Sequence, residues 1–426
     1  MAQAEQHDVV PVTMLSGFLG AGKTTLLRHL LENTKLKIGC IVNDVATVNV
    51  DAKLIRNDRT RDREQGNNTT SDLADTIELA NGCACCSIAD ELFTSFEQLL
   101  TLADRKGVKY DRFVLENSGV AEPQNIRDKF SEAIAMGNPL MSRIQLDTMA
   151  TIVDSGSFTA DYSSRTPVSA RPDLGEGGNL RPVVDLLVEQ IECADFVILN
   201  KIDQLDAGQL ESLKGIASSL NPLSKVFTCE QARVDLEQVF GREAQSLVAH
   251  LNIEGQHRGA VAAATAMLPF HPQRLREMVL RWLPVSSNAA LEGQAPGAGE
   301  SPIKTVLRSK GFMWMSHSHT TAFYWSHAGQ HFEIRDEGDW WAAVGDDEWP
   351  TQQAQRDVML ADFDFQNGFG DRRQEIVFIG AGMSEEDISK QLDTALLQPA
   401  EMSKYVENYK HMPDPPHPEL TQTPKA

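Results

Sequence analysis

No apolar run in this chain approaches the ~18 residues that a membrane-spanning helix requires, so a helical membrane protein is not expected. Residues Met1 to Val10 hold no basic region followed by an apolar stretch, and they are not Arg-rich. Neither a secretory signal nor a transit peptide is expected from them. Positive charge is scarce: 39 Lys and Arg stand against 60 Asp and Glu, a formal net charge of −21. Such a surface repels phosphate backbones and anionic headgroups, which sets aside nucleic acid and membrane surfaces as partners. A nucleotide would have to be held by a locally positive site. Cysteine is sparse, six residues in 426, yet Cys83, Cys85 and Cys86 fall within four positions. A secreted disulfide framework spreads its cysteines. This clustering points to intracellular thiol or metal chemistry and to a cytoplasmic protein.

Apolar residues make up 41% of the chain, enough for an ordinary core, and the length leaves room for two domains. Apolar runs at Val12–Ser16, Ile38–Val42, Phe113–Leu115, Thr151–Val153, Phe196–Leu199 and Lys225–Phe227 predict strands covered on both faces. Between the first two, Leu26, Leu27, Leu30 and Leu31 mark one face of a helix over Thr24–Glu32. Alternation of this kind predicts an α/β unit with a doubly wound, mostly parallel sheet. Residues 59–71 and 163–179 are polar and read as surface loops. Composition breaks again at Ser286–Ser301, read as a long loop, and Trp314, Trp325, Trp340 and Trp341 then fall among short alternating runs. That pattern predicts a smaller α+β C-terminal domain with antiparallel strands. The expected boundaries are 1–250, 251–410 and a disordered Pro-rich tail at 411–426.

Gly17-Phe18-Leu19-Gly20-Ala21-Gly22-Lys23-Thr24 fits GxxxxGK[ST] between a predicted strand and a predicted helix, which is the context a P-loop requires. Its glycines let backbone N–H groups turn toward a β-phosphate. Lys23 would reach the β- and γ-phosphates, Thr24 would ligate Mg²⁺, and the helix start at Thr24 and Thr25 favours an anion. Asn200-Lys201-Ile202-Asp203 follows a strand and fits NKxD. The Asp203 carboxylate would accept from N1–H and the 2-amino group of guanine, donors that adenine lacks, so GTP is expected over ATP. Asn200 would support the loop and guanine's other edge, and the Lys201 stem would cover the ring. Glu116-Asn117-Ser118-Gly119 also follows a strand: the acid would hold Mg²⁺, often through water, and the Gly119 N–H would sense the γ-phosphate. Asp44, with Asp51 behind it, could ligate metal or position the attacking water. Lys23, Glu116 and Asp44 are the candidate catalytic residues.

Cys83, Cys85 and Cys86 put three thiols on one Gly-containing loop. Thiolates suit Zn²⁺ and Cu⁺, and zinc takes about four ligands, so another ligand must come from elsewhere or from a partner. An incompletely filled site suits transfer. His317, His319, His327 and His331 lie near one another in sequence. If the segment is a strand, His317 and His319 share a face; they are then either surface polar residues or a second metal site.

GFLGAGKTTLL, NGCACCS, ENSGVAEP and NKID in this order resemble the CobW family of GTPases, also called the zinc-regulated GTPase metalloprotein activators. PFHPQRL (Pro269 to Leu275), KGFMWM (Lys310 to Met315), WSHAGQ (Trp325 to Gln330), GDWW (Gly338 to Trp341) and GDRRQEIVFIG (Gly370 to Gly380) look like that family's C-terminal domain. The resemblance implies a P-loop NTPase that uses Mg²⁺ and GTP to deliver a metal, most often zinc, to a client metalloprotein. The CxCC loop would hold the metal, with Asp44 as a candidate further ligand. Asn43-Asp44 stands where many members have Asn-Glu, Ala84 replaces a larger apolar residue, and no long His tract is present. Other classes fit part of the pattern. A non-enzymatic zinc buffer or sensor could retain a nucleotide, and a cobalt or other metal inserter of the cobalamin type would use the same thiolates. A small-metabolite kinase is a further class, against which NKID argues.

Overall fold

The computed structural model describes residues 9–42, 74–78, 88–164, 166–170, 181–240, 261–266, 268–283, 300–365, 368–380, 383–412 and 414. Asp44, Asp51, Cys83, Cys85 and Cys86 lie outside the described residues, as do the 59–71 loop and most of the 163–179 loop, the 286–301 break and the tail. The chain divides into two compact units, residues 1–259 and 260–426.

The first unit is built on seven parallel strands: β1 Val10–Ser16, β2 Ile38–Val42, β3 Ala74–Glu78, β4 Arg112–Glu116, β5 Ile144–Asp154, β6 Phe196–Asn200 and β7 Lys225–Thr228. Their order across the sheet is β3-β2-β4-β1-β5-β6-β7. Strands β2, β4 and β6 are buried along their whole length, as expected where helices cover both faces. The helices are α1 Lys23–Asn33, α2 Ile88–Lys106, α3 Pro123–Ala135, α4 Phe158–Tyr162, α5 Val183–Glu192, α6 Ala207–Leu220 and α7 Leu236–Phe240. Side chains alternate along each strand, so the sheet has two cores. Val12, Met14, Phe113 and Leu115 pack with Phe96 and Phe130 on one face. Leu15, Val114, Ile152 and Ile198 pack with Leu26, Leu27 and Leu30 of α1 on the other.

The second unit carries an antiparallel sheet of β8 Val261–Ala266, β9 Val306–Met313, β10 Thr321–Ala328, β11 His331–Asp339 and β12 Gln374–Gly380, in the order β11-β10-β9-β12-β8. Helices α8 Gln353–Leu360, α9 Glu385–Asp393 and α10 Pro399–Tyr409 complete it. Trp325 and Phe378 pack with Ile388 and Leu392 of α9. Trp314 and Trp340 pack with Tyr405 of α10, and the Trp314 indole donates to the Tyr405 hydroxyl at 3.1 Å. Arg372 donates to both carboxylate oxygens of Asp414, beyond α10, at 2.9 and 2.6 Å. Among the described residues no helix is long and apolar enough to cross a membrane.

One buried charge pair lies in the parallel sheet. Arg112, which opens β4, donates to Asp147 at 2.7 and 3.0 Å and to the Thr13 hydroxyl at 2.7 Å. Burial pushes the Asp147 carboxyl above its ordinary range and the Arg112 guanidinium opposes that shift. Replacing Arg112 by Met would leave a carboxylate enclosed without its cation. The substitution should lower the unfolding free energy by about 3–5 kcal/mol, measured by urea titration; an unchanged midpoint would show that the pair holds nothing.

Candidate nucleotide-binding site

In a parallel sheet all strands end on one edge, and ligands bind outside those carboxyl ends. Strand β1 ends at Ser16 and the P-loop follows; β4 ends at Glu116; β6 ends at Asn200. Register aligns Leu15 and Val42 with Glu116, which brings the β4 carboxylate level with the start of the P-loop. The Thr24 hydroxyl donates to Glu116 Oε1 at 2.9 Å. Lys23 is only 8% exposed, and its ammonium donates to the carbonyls of Gly17 and Phe18 at 2.9 and 3.2 Å. Leu19, Lys23, Thr24, Glu116, Asn117 and Gly119 line a cavity of ≈ 220 Å³ here. The donor set fits a nucleotide phosphate and a hard cation. There is one ammonium, the N–H groups at the start of a helix, and the hydroxyl and carboxylate oxygens that Mg²⁺ prefers.

The NKxD loop rests on one amide. Asn200 is buried, and its Nδ2 donates to the Ala21 carbonyl of the P-loop at 2.8 Å. Its Oδ1 accepts from the Ala232 N–H at 2.8 Å and from the Cys229 thiol at 3.5 Å. Burial pushes that thiol up to about 11, so it stays protonated and able to donate. Gly22 makes room for the brace: it sits at φ 113°, and a Cβ there would lie 2.5 Å from Asn200 Nδ2. A side chain at this position would therefore fill the cradle as well as strain the backbone.

Asp203 is exposed and lines a second cavity of ≈ 740 Å³ with Thr25, Arg28, Asn200, Lys201 and Arg233. Lys201 sits in the left-handed region at φ 60°, and its ammonium pairs with Asp154 at 2.5 Å. The ammonium expected to trail from a ring-covering stem is thus fixed to the end of β5. Every observed bond of the Asn200 amide goes to a protein loop. Sequence reasoning passed over the loop from Cys229 to Ala232, where Gln231 and Ala232 take φ 51° and 57° in succession. The available signal was its position after the last predicted strand, on the edge where ligands bind.

The four histidines of the second unit do not form a set. His317 and His319 lie in a turn after β9 rather than on a strand. The His319 ring bonds the Tyr405 hydroxyl at 2.7 Å, and the fully buried His327 bonds the Gly329 carbonyl at 3.1 Å. Among the described residues no three of these histidines are close enough to share an ion.

A parallel sheet with a P-loop behind its central strand, and an acid ending the neighbouring strand, defines a P-loop NTPase. The chain belongs to the CobW/HypB GTPase family. Residues 11–228 match the CobW/HypB/UreG nucleotide-binding domain, and residues 263–396 match the cobalamin synthesis protein cobW C-terminal domain. It is 30% identical over 413 residues to zinc-regulated GTPase metalloprotein activator 1 of Dictyostelium discoideum, covering 93% of this chain and 81% of that protein. It is 32% identical over 255 residues to the zinc chaperone CobW of Pseudomonas aeruginosa, covering 58% of this chain and 63% of that one. The crystal structure of Zn(II)-bound YjiA GTPase from E. coli aligns with a TM-score of 0.40 and 20% identity, over 92% of this chain and 100% of that one.

Asn200→Ala would orphan the Ala21 carbonyl and the Ala232 N–H inside the protein. It should lower the unfolding free energy by about 1–3 kcal/mol and speed alkylation of Cys229; a thiol that reacts no faster would mean the brace does not hold its loop.

Proposed function

We propose that this protein is a GTP-hydrolysing metallochaperone that carries zinc on its CxCC loop and delivers it to a client metalloprotein. The observation that carries the reading is the convergence of Lys23, Thr24 and Glu116 on one cavity, with the NKxD loop braced to the same P-loop. Lys23 exchanges its two carbonyl partners for β- and γ-phosphate oxygens, a stronger charge-assisted pairing. Gly17, Gly20, Ala21 and Gly22 give the loop its curvature, and the N–H groups at Lys23, Thr24 and Thr25 face the phosphates. Thr24 and Glu116 supply oxygens to Mg²⁺, which when bound neutralises charge building on the phosphate oxygens. The Gly119 N–H reads the γ-phosphate. Asp203 reads guanine, and Asn200 and Lys201 hold the loop that presents it. Asp44, two residues after β2 in sequence, is the further candidate to ligate metal or position the attacking water.

Zinc is the cargo. The names of the relatives in Dictyostelium and Pseudomonas support that metal, and three clustered thiols suit it. Strand β3 ends at Glu78 on the same sheet edge as Glu116, and α2 begins at Ile88; Cys83, Cys85 and Cys86 fall between them in sequence. Three thiolates leave a coordination position for Asp44 or for the client, which favours hand-over. The cytoplasm, where thiols stay reduced, is the compartment this chemistry requires.

Three substitutions separate the functions. Cys85→Ser should weaken zinc binding and leave Mg·GTP binding intact in direct titrations, whereas equal loss of both would make the cysteine loop structural. Asp203→Asn should weaken GTP binding by about 10- to 100-fold, the worth of a charge-assisted hydrogen bond. Unchanged selectivity over ATP would mean that the base is read elsewhere. Lys23→Ala should abolish turnover, and a normal hydrolysis rate would show the phosphate site to be misread.

A further inference from the structure

The segment that follows Glu116 does not sit free at the edge of the phosphate cavity. Gln190 of α5 is 1% exposed, and its side-chain amide donates to the carbonyls of Gly119 and Ala121 at 3.3 and 3.4 Å. The backbone carbonyl of Gln190 accepts from the Thr151 hydroxyl at 2.6 Å, and Thr151 pairs with Ser16 directly before the P-loop. The helix is therefore tied to the strands that carry the phosphate site. Arg181, two residues before α5, pairs with Glu122 at 2.7 Å and Glu189 at 2.5 Å. Burial alone would lower the Arg181 pKa, but the two carboxylates outweigh it and raise it, so the guanidinium stays charged. An apolar cluster of Phe18, Val168, Val183, Leu186 and Leu187 receives Val120 between these polar ties. Gly119 is held from the other side as well: a Cβ there would lie 2.7 Å from the backbone nitrogen of Leu19.

We propose that Gln190 is a positioning residue for γ-phosphate recognition, acting through Gly119. It rests on the reading of Gly119 given above. A backbone donor recognises an anion best when it is fixed before the anion arrives. Gln190 fixes the peptide on the C-terminal side of Gly119, Leu19 limits the glycine's approach to the P-loop, and the Arg181–Glu122 pair anchors the far end of the segment. A nucleotide without a γ-phosphate makes no use of this donor, so the arrangement contributes to GTP binding and not to GDP binding.

The test is direct titration of GDP and of a nonhydrolysable GTP analogue, with Mg²⁺ fixed, into the full chain and two variants. Gln190→Met keeps the length of the side chain and removes the donor. Glu122→Gln breaks the ion pair at a partly exposed position and leaves the buried amide alone. Gln190→Met should weaken the GTP analogue by about tenfold with GDP affinity unchanged, and Glu122→Gln should shift the same ratio in the same direction by less. Equal loss of both nucleotides, or no loss of either, overturns the proposal. If Gln190→Met does not fold, the ratio measured in Glu122→Gln decides alone. Failure of the wild-type chain to bind either nucleotide would instead overturn the reading of the site, and this proposal with it.

Discussion

The nucleotide site depends on the side-chain amide of Asn200. Strands β1, β6 and β7 each end in a loop, and a parallel sheet gives those loops a common edge but no common shape. The amide supplies it. One end holds the P-loop at Ala21, the other holds the loop after β7 at Ala232 and Cys229, and the residue itself begins the loop that carries Asp203. All of this happens in a buried setting, where a polar group without its partner is costly. The P-loop and the NKxD loop are thus tied through one buried residue. Two consecutive left-handed residues, Gln231 and Ala232, are the conformational cost of bringing the third loop to the amide.

A chain of net charge −21 can hold an anion because its field is overcome locally. Lys23 is screened from water and faces backbone carbonyls, and α1 opens on the same cavity. Two acids at the strand ends are tied, Glu116 to Thr24 and Asp154 to Lys201. The segment after Glu116 is seated on α5, so the described arrangement is preorganised on the phosphate side as well as the base side. The cysteine loop, which lies between β3 and α2 in sequence, would on the proposed function exchange free energy with this site. By linkage, any difference that GTP makes to zinc affinity must be returned as a difference that zinc makes to GTP affinity.

Much of this was legible in the residues. All six apolar runs form strands, and the P-loop, ENSG and NKID motifs fall at strand ends as their chemistry demands. Strand β3 was not legible, because Ala74-Asp75-Thr76-Ile77-Glu78 offers no apolar run; its pairing with β2 at the sheet edge makes it a strand. Lys201 was read by its stem, but its partner Asp154 lies far away in sequence and is brought level only by the β5–β6 register. His317 and His319 were read on a strand pattern that ends too early to include them, and His327 is in phase with Trp325, which points it into the core. Gln190 belongs to no motif. The hint it leaves is a lone amide in the apolar helix that carries it, and a buried amide must find partners.

The central claim is that nucleotide turnover and zinc binding are coupled in this chain. Its most direct test is the rate of GTP hydrolysis by metal-free protein across a buffered Zn²⁺ series, with Mg²⁺ fixed, in the wild-type chain and in Cys85→Ser. The account predicts a wild-type rate that changes with zinc and a variant rate that does not. A wild-type rate indifferent to zinc would contradict it, leaving a GTPase whose cysteine loop serves some other purpose.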